Sequence, residues 1–152
     1  MLNSKRICNE YKIITSTQTS HKIEMVNNDI YHWNAWISGP EESVYHGYQF
    51  QLDIMLPKEY PISAPVVKFI TPVLHVNVNT FGDICLDILK DNWSPKINIM
   101  AILDAISILL GYPNHESPFN DELEKTYRTD KNLYNKMIHN HCETHALKKT
   151  ID

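Results

Sequence analysis

The sequence predicts an α+β domain: an N-terminal helix, a four-stranded antiparallel meander, a long irregular segment, then two to three C-terminal helices. Three observations predict it. Apolar residues near the start recur at helical spacing, at Ile7, Tyr11 and Ile14. The period then changes to two across four short runs separated by turn-length connections. Helical spacing returns from residue 98 onward, after a stretch with no sustained period.

Each element follows from its residues. "NSKRICNEYKIITS" predicts a helix over about residues 3–16, with Asn3 or Ser4 as N-cap. "HKIEMV" places Ile23 and Met25 on one face, and Asn27, Asn28 and Asp29 supply a turn. In "IYHWNAWIS", Tyr31, Trp33, Ala35 and Ile37 alternate with His32, Asn34 and Trp36. "YQFQLDIML" lines Tyr48, Phe50, Leu52, Ile54 and Leu56 on one side. "PKEYPISAP" cannot be a central strand, and "VVKFIT" after it supplies the fourth run. Such alternation predicts a sheet with one face covered. Residues 71–97 carry Pro, Asn, Gly and Asp punctuation, and an irregular segment of this length inside a domain is usually functional. "NIMAILDAISILLGY" is apolar nearly all round and predicts a buried helix stopped by Gly111 and Pro113. One or two further helices follow, with Tyr134, Met137, Ile138, His141 and Cys142 at helical spacing.

Composition narrows the function. A chain of 152 residues without repeats is expected to form one domain over residues 1–152, long enough to bury a core. A net charge of −4 disfavours a non-specific grip on nucleic acid or anionic membrane. Cys8, Cys85 and Cys142 are odd in number and far apart, which argues against a disulfide framework and for a reducing compartment, the cytoplasm or nucleus. The tail "HNHCETH" offers His139, His141, Cys142 and His145, but no second paired motif completes a zinc site, so no metal is expected.

The chemistry-bearing stretch is "HVNVNTFGDICLDIL", residues 75–89. A free cysteine is commonly a buried structural residue, yet Cys85 lies in the irregular segment behind a strong turn signal, Asn79-Thr80-Phe81-Gly82-Asp83. Chain reversal near Phe81 sets Asn77 across from Cys85. Its carboxamide either donates to a developing oxyanion, a contribution of about 3–4 kcal/mol, or ties the loop together. Asp87 shares a side with Cys85 in a period-two reading, where it either holds an incoming amine or is simply solvated. A cysteine-protease reading needs a histidine base; His75 is nearest in sequence, but no protease signature accompanies it. Trp93, beside Ser94-Pro95, is placed to anchor the loop.

Together, "HVNVNTFGDICLDIL" and "DNWSPKINI" resemble the ubiquitin-conjugating enzymes, whose pattern is His-Pro-Asn, a turn, cysteine within Ile-Cys-Leu-Asp, then Trp-Ser-Pro. "YHWNAWISGPEESVYHGYQFQLDIMLPKEYPISAPVVKF" and "TDKNLYN" extend the resemblance over residues 1–147. It implies that Cys85 accepts ubiquitin from an activating enzyme as a thioester and passes it to a lysine of a protein substrate with a ligase. It implies no cofactor, since ATP is used by the activating enzyme. Asn77 matches the asparagine credited with oxyanion stabilisation or loop order, and Asp87 an acidic position near the incoming lysine. Exchange between thioesters does not need a strongly depressed thiol pKa, which suits a cysteine without a histidine partner.

The same resemblance implies partner surfaces. Lys5, Ile62, Ser94, Pro95 and Lys96 match the ligase-receiving area, Asp104 and Ser107 the helix that contacts carried ubiquitin, and Lys22, Glu24 and Trp36 the sheet's free face. A monomeric, minimal catalytic domain is expected. Three departures stand out. Val76 replaces the family's proline, which leaves the backbone less restrained; the Asn77 loop is expected to keep its course because the flanking residues match, with slower catalysis. Ser117 stands where many members place an acidic gate, with Glu116 adjacent. Ile62 replaces a common phenylalanine, which weakens the match to HECT ligases, while Ser94-Pro95 keeps the match to RING-type ligases. The alternatives are a silent binding module, which the presence of Cys85 speaks against, and conjugation of another ubiquitin-like modifier.

Overall fold

Helical spacing at the N-terminus produces α1 (Leu2–Ser16), which buries Ile7 and Ile14 and sets Tyr11 edge-on against Trp33 at 5.2 Å. This is a computed structural model, and it describes residues 2–149. Four alternating runs become β1 (Lys22–Val26), β2 (Asp29–Ser38), β3 (Tyr48–Met55) and β4 (Val66–Phe69), paired antiparallel in chain order. Asn27 and Asn28 both take positive φ between the paired Val26 and Asp29, a two-residue hairpin turn that asparagine tolerates.

Register puts one face of the sheet into the core. Trp33 pairs with Ile54, Ala35 with Leu52 and Ile37 with Phe50, and all six are fully buried. The other face keeps its polar residues and Trp36, over which the Lys22 ammonium sits 5.3 Å from the ring centroid. A fifth strand that the sequence did not suggest, β5 (Leu147–Lys148), pairs with the start of β3.

α2 (Ile99–Gly111) is less buried than its apolar sequence predicts. Ile99, Ile102, Leu103, Ile106, Leu109 and Leu110 form its core face, whereas Ala101, Asp104 and Ile108 are exposed. The remaining helices are α3 (Asp121–Thr129) and α4 (Lys131–His145), two rather than one. Asn98, Asn120 and Asp130 cap α2, α3 and α4 by accepting from the N–H three residues on. Cys142 faces the core from α4, where burial and the Glu143 carboxylate push its thiol up to about 11, while His139 and His145 are exposed.

Candidate active site

The irregular segment is held by a series of specific ties. Asn79 folds the turn on itself: its Oδ1 accepts from the N–H groups of Phe81 and Asp83, both at 2.9 Å. The turn then docks on β4. Phe69 N–H donates to the Gly82 carbonyl at 2.9 Å, and Lys68 pairs with Asp83 at 3.3 Å. The Asn79 amide and Lys68 together hold the Asp83 carboxyl below its ordinary value. Only glycine suits position 82, because its φ is +85° and a Cβ would lie 2.2 Å from the Phe69 carbonyl oxygen.

Reversal at this turn brings residues 77 and 85 together, as the sequence predicts. Cys85 N–H donates to the Asn77 carbonyl at 2.9 Å, and Cys85 itself is half-buried with a free thiol. The nucleophile candidate therefore sits at a fixed depth beside a fully buried asparagine.

Asn77 shows which of its two readings the resting geometry favours. Its Nδ2 donates to the carbonyls of Asn114 at 2.7 Å and Ser117 at 3.1 Å, and its Oδ1 accepts from Asn114 N–H at 2.8 Å. Both amide hydrogens are thus committed to the loop over residues 114–117, which they clamp beside Cys85. That loop carries Glu116 and Ser117, both exposed, with Glu116 N–H donating to Asn114 Oδ1 at 3.0 Å.

Residues 74–76 are gripped equally firmly. Tyr45 O–H donates to the Leu74 carbonyl at 2.6 Å. His75 Nε2–H donates to the Leu109 carbonyl at 2.7 Å, while its Nδ1 accepts from Asn77 N–H at 3.0 Å. Burial pushes this imidazole down to about 4. With both nitrogens occupied within the fold, His75 is a brace for the Asn77 segment and no base for Cys85. Val76 is fully buried, and its carbonyl accepts from the N–H groups of Phe119 at 2.8 Å and Asn120 at 3.2 Å. Packing and these two hydrogen bonds restrain the residue that stands in place of proline.

Asp87 opens a 3-10 turn, Asp87–Leu89, and is exposed two residues past Cys85. Its Oδ2 accepts from Asn92 Nδ2 at 2.9 Å, which steadies the carboxylate at the surface.

A second surface forms at the other end of the segment. Trp93 Nε1–H donates to the Pro61 carbonyl at 2.9 Å, so the loop bearing exposed Ile62 is joined to the loop bearing half-buried Ser94 and exposed Pro95 and Lys96. Asn3 Nδ2 donates to the Lys58 carbonyl, and Arg6 Nη2 to the Ile97 carbonyl at 2.9 Å, which brings α1 and exposed Lys5 to the same area. Beneath it, Glu10 accepts from Arg6 Nε at 3.0 Å, from Tyr60 O–H, and from Ile99 N–H at 2.7 Å, capping α2 from below. Sequence reasoning missed Glu10. Its signal was an acid placed between the apolar positions of an amphipathic helix. It also missed Asn114, whose backbone closes the Asn77 clamp.

Asp104 and Ser107 lie on α2, the helix whose Leu109 carbonyl takes the His75 hydrogen bond. Asp104 Oδ1 accepts from His21 Nε2 at 2.7 Å, and Ser107 Oγ lies 3.4 Å from the Ser38 carbonyl.

Residues 6–142 match the family model described as ubiquitin-conjugating enzyme. A curated relative from Acanthamoeba polyphaga mimivirus, named as a probable ubiquitin-conjugating enzyme E2, is 48% identical over 149 residues, or 95% of this chain and 94% of that protein. The solved E2 domain of a Toxoplasma gondii ubiquitin conjugating enzyme matches with a TM-score of 0.88 and 34% identity, covering 95% of this chain and 99% of that one.

Proposed function

Since the chain belongs to the ubiquitin-conjugating enzymes and so is a transferase of the ubiquitin pathway, we propose that Cys85 carries ubiquitin as a thioester. The observation that supports this choice is the Cys85–Asn77 backbone bond, which holds a half-buried thiol at the mouth of a segment tied down on all other sides. Charging breaks the thioester that links ubiquitin to the activating enzyme and forms a new one at Cys85 Sγ. The activating enzyme's thiol leaves with the proton. In discharge, the neutral amine of a substrate lysine attacks the same carbonyl, an isopeptide bond forms, the C–Sγ bond breaks, and the proton shed by the amine is taken up by the departing Cys85 thiolate or by solvent.

Asn77 acts here as a positioning residue that fixes Cys85 and the loop over residues 114–117. A direct oxyanion contact would require its amide to leave the Asn114 and Ser117 carbonyls. Asp87, at the exposed edge, receives the incoming lysine, whose ammonium, with a pKa near 10.4, must lose its proton before it attacks. Glu116 and Ser117 border its approach. Lys5, Ile62, Ser94, Pro95 and Lys96 take a RING-type ligase, and the enzyme works as a monomer in a reducing compartment such as the cytoplasm or nucleus.

Incubation with activating enzyme, ATP and ubiquitin followed by a non-reducing gel tests this reading. A thiol-sensitive adduct that becomes a reductant-resistant ester in Cys85→Ser is expected. An adduct that stays thiol-sensitive in that variant puts the thioester on another cysteine. No adduct, where a control conjugating enzyme charges, removes the ubiquitin reading.

A further inference from the structure

The Asn77 clamp grips the loop over residues 114–117 at its two ends, through the backbone of Asn114 and Ser117. Between those ends stand His115 and Glu116. Glu116 N–H is tied to Asn114 Oδ1, but its carboxylate meets no hydrogen-bonding or charged group among the described residues. His115 is the side chain of this span that reaches back to the helices.

Its ring stacks on Tyr127 of α3, with centroids 4.3 Å apart and planes 29° from parallel. Tyr127 is a firm base for that stack. Lys131 Nζ lies 3.3 Å from the Tyr127 centroid, and Tyr134 meets the ring edge-on at 5.0 Å. One ring face cannot hold an imidazole and an ammonium at these distances, so Tyr127 lies between His115 and the first residue of α4. A carboxylate sets the imidazole's orientation. His115 Nδ1 is buried without a hydrogen-bond partner among the described residues and lies 3.7 Å from Glu124 Oε1. A bare lone pair there would face a negative charge, so Nδ1 carries a hydrogen directed at Glu124. Glu124 is held in turn: its side chain is 12% exposed, and the same oxygen accepts from Arg128 Nε at 2.7 Å.

We propose that His115 is a positioning residue for discharge: stacked on Tyr127, it fixes residues 115–116 so that the Glu116 carboxylate faces the lysine arriving at Cys85. This rests on the thioester reading above and adds to it the anchor of the loop that borders the lysine's approach. Asn77 holds the loop's ends from beneath, and His115 holds its crest from α3. A carboxylate at that crest accepts from the amine and stabilises the positive charge that develops on nitrogen during attack. Without the stack, the crest must be ordered each time an amine arrives, and that cost enters the barrier. An aromatic pair of this geometry is equivalent to about twofold to tenfold in such an equilibrium.

The test is single-turnover discharge of the purified thioester to free lysine, run beside amide hydrogen exchange of the uncharged protein. His115→Ala is expected to leave charging unchanged, slow discharge about threefold to tenfold, and speed exchange of the Glu116 amide. His115→Phe, which keeps a ring on Tyr127, is expected to stay within about twofold of the parent in both measurements. Glu116→Ala is expected to slow discharge, and adding His115→Ala to it to slow it no further. Parental discharge in His115→Ala overturns the proposal. So do equal slowing by Ala and Phe, or slowings that multiply in the double variant. Unchanged exchange at Glu116 in His115→Ala removes the anchor alone, whereas absence of any thioester on Cys85 falls on the proposed function.

Discussion

Replacing Asn77 with Ala should loosen the active-site loop while leaving the rest of the fold standing. The side chain makes three hydrogen bonds to the segment over residues 114–117, at 2.7, 3.1 and 2.8 Å, from a position with no solvent exposure. At about 1 kcal/mol net for each, the clamp contributes about 3 kcal/mol. That lies within the typical reserve of about 5–15 kcal/mol, so the variant folds. Urea unfolding should show a midpoint lower by about 1–2 M if m is about 2 kcal/mol/M. Amides of Phe119 and Asn120, which donate to the Val76 carbonyl beside the clamp, should exchange faster with solvent. Thioester formation should persist, and discharge to lysine should slow. Asn77→Asp should be at least as harmful, because a carboxylate would face the Asn114 and Ser117 carbonyls with no hydrogen to offer. Slow discharge with an unchanged urea midpoint and unchanged exchange would refute this reasoning, since Asn77 would then act on the reacting carbonyl directly.

Three further predictions concern the scaffold under the site. His75 sits at about 4 when folded against its ordinary 6.5, so the unfolded chain takes up that proton first as pH falls. The stabilisation is complete above about pH 6.5 and is lost towards pH 4, a change of about 3 kcal/mol in urea unfolding free energy that His75→Gln should largely abolish. Gly82→Ala should cost at least about 2 kcal/mol in the same measurement, because the new Cβ meets the Phe69 carbonyl oxygen and φ is positive. Glu10→Ala should lower thermal and urea stability by about 3 kcal/mol, since it strands the Ile99 N–H and the Tyr60 hydroxyl; a shift under about 1 kcal/mol would show that these groups find other partners.

The sheet was legible because alternation is dictated by burial: Trp33, Ala35 and Ile37 had to share a face, and the register with Phe50, Leu52 and Ile54 follows. The turn at residues 79–83 was legible from asparagine and glycine chemistry, and with it the meeting of Asn77 and Cys85. α2 misled for a physical reason. Isoleucine at 108 has the same composition signal whether it faces a core or a partner, and only the fold distinguishes the two. β5 carries too few residues for any periodicity, and the Glu10 and His21 contacts join positions 89 and 83 residues away in the chain, which no local pattern encodes. Asn77 showed the right location and an open role, because spacing places a carboxamide but does not say what its hydrogens meet.

Val76 brings these strands of reasoning together. A proline before the asparagine fixes its own φ, narrows the preceding residue's conformations and removes one N–H donor. Here the restraint is distributed over neighbours instead. The preceding residues are held through the Leu74 carbonyl and both His75 nitrogens, the Val76 carbonyl takes two N–H groups from residues 119 and 120, and the next side chain is clamped by residues 114 and 117. The buried valine adds apolar burial to that grip. Fixing a single φ contributes at most about 1 kcal/mol, chiefly through the unfolded chain, while the ties at residues 74–77 are several times that in sum. The loop course is therefore set by its bonds to α2 and to the segment before α3, and the tripeptide's middle position does not need proline as long as its carbonyl keeps both partners and an apolar side chain fills the buried site.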